Sequence, residues 1–72
     1  MNYEYIEIHR QEIPGRKTPI YHVINKKAQV PLAQIKWHGA WRQYCLFVDS
    51  DTIWSEGCLD DLKDALRQIK GK

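Results

Sequence analysis

Hydrophobic and polar residues alternate through Tyr3-Glu4-Tyr5-Ile6-Glu7-Ile8, a stretch rich in aromatic and β-branched side chains. Alternation of this kind is the signature of a half-buried strand, and it predicts a first strand over residues 3–9. Pro14-Gly15 then marks a turn beside the exposed pair Arg16-Lys17. Ile20-Tyr21-His22-Val23-Ile24-Asn25 predicts a second strand over 20–25, and the polar run Lys26-Lys27-Ala28-Gln29 has the length of a hairpin connection. A third strand is expected over 30–38. Pro31 near its start has no N–H to give to a ladder, so that end should lie at an edge or a bulge. Gly39-Ala40 turns the chain into a fourth strand over 41–48.

The period then changes from two to that of a helix. Cys58, Leu59, Leu62, Ala65, Leu66 and Ile69 recur at spacings of three and four, which puts them on one stripe of a helix over 56–70. Ser55 is placed to cap its start, Asp60 and Asp61 lie near its positive end, and Arg67 and Lys70 lie near its negative end. Gly71 offers a C-terminal stop. The order β-β-β-β-α implies an α+β fold, a small antiparallel sheet with one C-terminal helix packed on one face. At 72 residues the chain has room for a single domain, 1–72, with a small core and a narrow stability margin.

A two-residue turn at Gly39-Ala40 would set His38 opposite Trp41 and Lys36 opposite Gln43. One face would then collect Ala33, Ile35, Trp37, Arg42, Tyr44 and Leu46 to receive the helix. The other would collect Gln34, Lys36, His38, Trp41, Gln43 and Cys45, a polar and basic surface with an indole standing in it. Lys and Arg neutralise phosphates, amides reach base edges, and an indole stacks on bases, so this face suits nucleic acid. The simpler reading is that Trp41 is half-buried under a loop and that the polar face is just the solvated side of a sheet.

Charge adds a direction. Residues 1–48 carry seven Lys or Arg against three Glu, whereas residues 49–66 carry six Asp or Glu against Lys63. Such segregation can steer a polyanion or an oppositely charged protein. Candidate chemistry changes the picture less. Cys45 and Cys58 are far from the close pairing of a zinc site, and His9, His22 and His38 fall on separate strands, so no metal is expected. Without a placed Cys–His or Ser–His pair, a glycine-rich phosphate loop or a calcium loop, no catalytic residue and no cofactor are expected, and the chain reads as a non-enzyme. No run approaches the roughly 20 apolar residues that span a bilayer, and the first residues lack the pattern of a secretion signal. A cytoplasmic protein with free thiols and no membrane partner is the expectation.

The stretches Trp41-Arg42-Gln43-Tyr44-Cys45-Leu46-Phe47, Thr52-Ile53-Trp54 and Cys58-Leu59-Asp60-Asp61-Leu62 resemble a set of small uncharacterised bacterial and phage proteins. The likeness covers roughly residues 20–69, and it departs where Leu46 and Val48 stand in place of an aromatic residue and a proline. It implies a recurrent fold and a phage or prophage source, and carries no activity. Small phage proteins commonly act by binding macromolecules of the host or the phage. The expected function is therefore a small binding module with DNA or RNA as partner. Lys36, His38, Trp41, Arg42 and Gln43 would make contact, helped by Arg16, Lys17, Lys26 and Lys27. The alternatives are a protein–protein module that inhibits a host protein, using an aromatic patch or the acidic segment 49–64, and a homodimer formed through exposed sheet.

Overall fold

In a computed structural model, which describes residues 3–70, four strands form one antiparallel sheet in the order β1-β2-β3-β4, and a single helix follows. The strands are β1 (Ile6–Gln11), β2 (Ile20–Asn25), β3 (Pro31–His38) and β4 (Gln43–Val48), and the helix is α1 (Glu56–Lys70). The architecture is the expected α+β one. Gly71 and Lys72 lie outside the described residues.

Alternation decides which side of the sheet the helix covers. Ile6 and Ile8 from β1, Tyr21 and Val23 from β2, and Ala33 and Ile35 from β3 all point one way and are buried. They meet Cys58, Leu62, Ala65 and Ile69 of α1, with Leu66, Tyr44, Leu46 and Trp54 packed around them. Side chains of Ile or Leu size are each worth about 1.5–3 kcal/mol when fully buried, so this one layer supplies most of the folding drive. Leu59, placed on the stripe by its spacing, is half exposed and faces away from the core.

The register of β2 with β3 slips between Val23 and Ile24, so that Val23 faces Ala33 and Ile24 faces Pro31. Leu32 is the extra residue, and the bulge lets Leu32 and Ala33 both turn inward. Pro31 stands at that irregularity, where a missing N–H costs no ladder bond. Ser55 caps α1, its Oγ accepting from the Cys58 N–H at 3.2 Å.

Two strands begin later than alternation suggests. β1 starts at Ile6 because Tyr3 and Tyr5 serve the helix instead of the sheet. The Tyr3 hydroxyl donates to Asp64 Oδ2 at 2.8 Å, the Tyr5 N–H donates to Asp61 Oδ2 at 3.0 Å, and the Tyr5 ring lies against Gly57. β4 starts at Gln43 because the connection is four residues long, Gly39 to Arg42, with Arg42 in the left-handed region at φ 53°. His38 therefore pairs with Gln43, Trp37 with Tyr44 and Lys36 with Cys45. A shift of two residues leaves the faces of the paired residues unchanged, but it moves Trp41 and Arg42 out of the sheet into the turn.

Candidate functional site

Antiparallel pairing gathers the connections 12–19 and 39–42 at one end of the sheet and 26–30 and 49–55 at the other. α1 starts at the second end, where Ser55 and Cys58 share a cavity of about 640 Å³ with Tyr5, Lys26 and Lys27. It finishes at the first, where Lys70 Nζ donates to Gln43 Oε1 at 3.3 Å. Arg16, Lys17, Arg42, Arg67 and Lys70 thereby collect at one end. Asp49, Asp51, Glu56, Asp60 and Asp61 lie towards the other. The charge segregation of the sequence is thus carried into space only in part, because Lys26 and Lys27 lie at the acidic end and Glu12 at the basic one.

The sheet face opposite α1 is uncovered. On it, at the basic end, Trp41 is 68% exposed and meets His38 edge to face, with ring centroids 5.0 Å apart. His38 in turn meets Phe47 edge to face at 5.8 Å, and Lys36 Nζ lies 4.5 Å from the centre of the Phe47 ring. The result is a ridge of two exposed aromatic rings bridged by an imidazole and capped by a cation. The turn that presents Trp41 is closed by backbone bonds, Trp41 N–H to His38 O at 3.2 Å and Arg42 N–H to Gly39 O at 3.3 Å. The indole therefore has no structural duty in holding the turn.

The helix side of the same turn differs from expectation. Trp37, assigned by the face pattern to the core, projects past the end of α1 and is 42% exposed, with an edge contact to Tyr44 at 5.5 Å. Gln43 pairs with His38 but turns its amide round the sheet edge to Lys70. Trp37, Arg42, Gln43, Tyr44, Ile69 and Lys70 line a cavity of about 300 Å³ with two cations and no carboxylate in its wall.

The nine residues singled out in the sequence are thus divided. Lys36, His38 and Trp41 come together on the open face, while Arg42 and Gln43 sit behind them on the helix side. Arg16 and Lys17 occupy the neighbouring loop at the same end, after a turn in which Arg16 N–H donates to Ile13 O and Gly15 takes φ 87°. Lys26 and Lys27 are at the far end. Lys26 Nζ donates to Tyr3 O at 2.9 Å, so this cation holds the chain's own first segment. Phe47 was missing from the expected set, although it continues the alternation of Gln43 and Cys45. Lys70 joined the site through the direction of the helix, which residue spacing alone does not reveal.

Cys45 stands on the open face and Cys58 in the core, and both are free thiols with the sheet between them. His9 faces His22 across β1 and β2, well away from His38. Among the described residues no group of three or more His, Cys, Asp or Glu side chains is arranged to hold a metal ion, and no helix is long and apolar enough to cross a membrane.

An uncharacterised 9.3 kDa protein of Acholeplasma phage L2 is 30% identical over 66 residues, covering 92% of this chain and 85% of the phage protein. The chain belongs to the family of that phage protein. With 66 of 72 residues shared, the relationship extends over nearly the whole chain. No protein-family model and no solved structure matches the chain.

Proposed function

We propose that this phage-family protein is a small non-enzymatic binding module whose partner is single-stranded nucleic acid, DNA or RNA. The observation that carries the reading is the exposed Trp41–His38–Phe47 ridge with Lys36 over its end. Exposed aromatic rings beside cations are what an unpaired base and its phosphate need. Each stacked base is worth about 1–3 kcal/mol, whatever its identity. A duplex keeps its bases stacked on each other and offers no face to the indole, which favours a single strand over the groove binding that a β-ribbon can also perform. Arg16, Lys17 and Arg42 at the same end would follow the backbone, while Lys26 and Lys27, at the other end of the sheet, would make no contact. The site of action in this reading is the cytoplasm, where phage and host strands are exposed.

The test is fluorescence anisotropy of labelled oligonucleotides over a salt series. Single strands should bind more tightly than the matching duplex, with log affinity falling by about 0.7 per unit log salt for each phosphate neutralised. Binding that is absent at low salt, or insensitive to salt, would sink the proposal.

A protein partner, such as a host factor, is the second reading. It is favoured by Ile53 and Leu59, which are 88% and 50% exposed within the acidic segment 49–64. A stoichiometric complex captured after nuclease treatment, and lost on Ile53→Asp, would select it.

A further inference from the structure

The strand order leaves β1 and β4 as the two edges of the sheet, and they are built differently. β1 carries Glu7, His9 and Arg10, and its charges are engaged along the strand. Glu7 accepts from the Gln29 amide at 2.7 Å and lies 3.3 Å from His9, and Arg10 pairs with Glu12 at 2.5 Å. Charged side chains of this kind keep an edge from pairing with another chain. β4 reads Gln-Tyr-Cys-Leu-Phe-Val. It has no charge, no proline and no bulge against β3, three of the usual guards of a free edge.

We propose that β4 is a docking edge for a second copy of this chain, giving a two-fold dimer with one continuous eight-stranded sheet. The choice of occupant follows from the charges that bracket the strand. Arg42 precedes β4, and Asp49 and Asp51 follow it. When two copies of β4 pair antiparallel, Arg42 of each copy comes to the Asp49–Asp51 turn of the other, at both ends of the new ladder. A parallel arrangement would set like charges together instead.

The axis must stand perpendicular to the sheet, because that keeps the two helices on one side and the two open faces on the other. Residues on the same face then oppose each other, so the ladder is centred on Cys45 or on Leu46. Either register sets Cys45 beside Cys45 or Phe47 of the second copy. The dimer also covers part of Val48, which is 55% exposed in the single chain. The proposal does not depend on nucleic-acid binding, although it would join the two open faces into one surface.

The test combines sedimentation equilibrium over a wide range of protein concentration with mild diamide oxidation, in which two thiols give up their protons and electrons to the diazene and join as a disulfide. Cys58 is buried, so Cys45 is the thiol that reports. A reversible dimer is expected; in the register centred on Cys45 the chain and Cys58→Ala, but not Cys45→Ser, also form a covalent dimer, whereas the register centred on Leu46 sets the two thiols on a diagonal about 7–8 Å apart and forms none. Cys45→Lys places a charge in the middle of the edge and should raise the dissociation constant at least about tenfold. Hydrogen exchange of the unsubstituted chain provides a reading independent of any variant: β4 amides should gain protection with concentration while β1 amides do not. A monomer at every concentration would overturn the proposal. So would a dimer that Cys45→Lys leaves intact and whose β4 amides exchange at a concentration-independent rate.

Discussion

The two tight hairpin connections on either side of β3 use the same backbone device for opposite ends. Residues 26–29, enclosed by the bond from Asn25 N–H to Val30 O at 2.9 Å, and residues 39–42 each finish on a non-glycine residue in the left-handed region, Gln29 at φ 57° and Arg42 at φ 53°. In the first, the side chains turn back on the molecule. Asn25 Oδ1 accepts from the Ala28 N–H at 2.8 Å, the Gln29 amide donates to Glu7 and to Lys26 O, and Lys26 holds Tyr3 O. In the second, backbone bonds alone close the turn, and Trp41 and Arg42 project outward. A basic turn whose polar groups are satisfied internally is a clasp. One whose side chains carry no such duty is free to display them.

The largest effect that could break this comparison is at Trp41. Replacing it with Ala should weaken single-strand binding by about 1–3 kcal/mol, roughly 5- to 150-fold, by removing a stacking surface. The melting temperature should not move, since the indole is exposed. Asn25→Ala at the other turn should do the reverse. Losing one turn-closing bond costs about 1 kcal/mol of stability, while oligonucleotide affinity stays unchanged. If Trp41→Ala lowers the melting temperature, or Asn25→Ala weakens binding, the division into clasp and display is wrong.

That division is also where the sequence falls silent. The helix was legible because its period, its Ser55 cap and its charged ends all point the same way. The faces of β3 and β4 were legible because alternation survives a two-residue change of register. The length of the turn was not, since Gly39 suggested a tight turn and nothing in the residue types announces a left-handed arginine. Tyr3 and Tyr5 look like strand residues locally, and their partners Asp64, Asp61 and Gly57 are more than fifty positions away. Lys26 and Arg42 are indistinguishable as basic turn residues until their neighbours are known. The candidate site was half legible for the same reason: residue type gave the chemistry, but the side on which Trp37, Arg42 and Gln43 fall depends on the path of the chain past the end of α1.

A finer test exchanges the two left-handed residues for glycine. At position 42 the substitution relieves a conformation that costs a side-chain-bearing residue about 1 kcal/mol, and among the described residues the Arg42 side chain makes no hydrogen bond or ion pair that would be lost. Arg42→Gly should therefore stabilise the fold, while the slope of log affinity against log salt becomes shallower by about 0.7, one phosphate contact. At position 29 the same relief is offset by loss of the bonds to Glu7 and Lys26 O, so Gln29→Gly should gain little or nothing. The Gln29 amide is also the main reason the Glu7 carboxyl titrates below its ordinary value. A carboxyl titration followed by NMR should find Glu7 moved back up in Gln29→Gly and unmoved in Arg42→Gly.

The smallest effect concerns the segment that the clasp holds. Burial, the hydrogen bond to Asp64 and the charges of Asp64 and Asp61 push the Tyr3 phenol up from 10.0 to about 12. The folded state thus favours the protonated phenol more strongly than the unfolded chain does. The stability this contributes is complete below pH 10 and is lost as pH rises from 10 towards 12. Tyr3→Phe lacks the phenol, so its denaturation midpoint should be lower than that of the unsubstituted chain at pH 9, with the gap closing by pH 11.5. The loss should be local to one end of the sheet. Amide exchange should quicken around Tyr5 and Lys26 as Tyr3 ionises, and the 39–42 turn, which shares no bond with that segment, should keep its rates apart from the general rise with hydroxide.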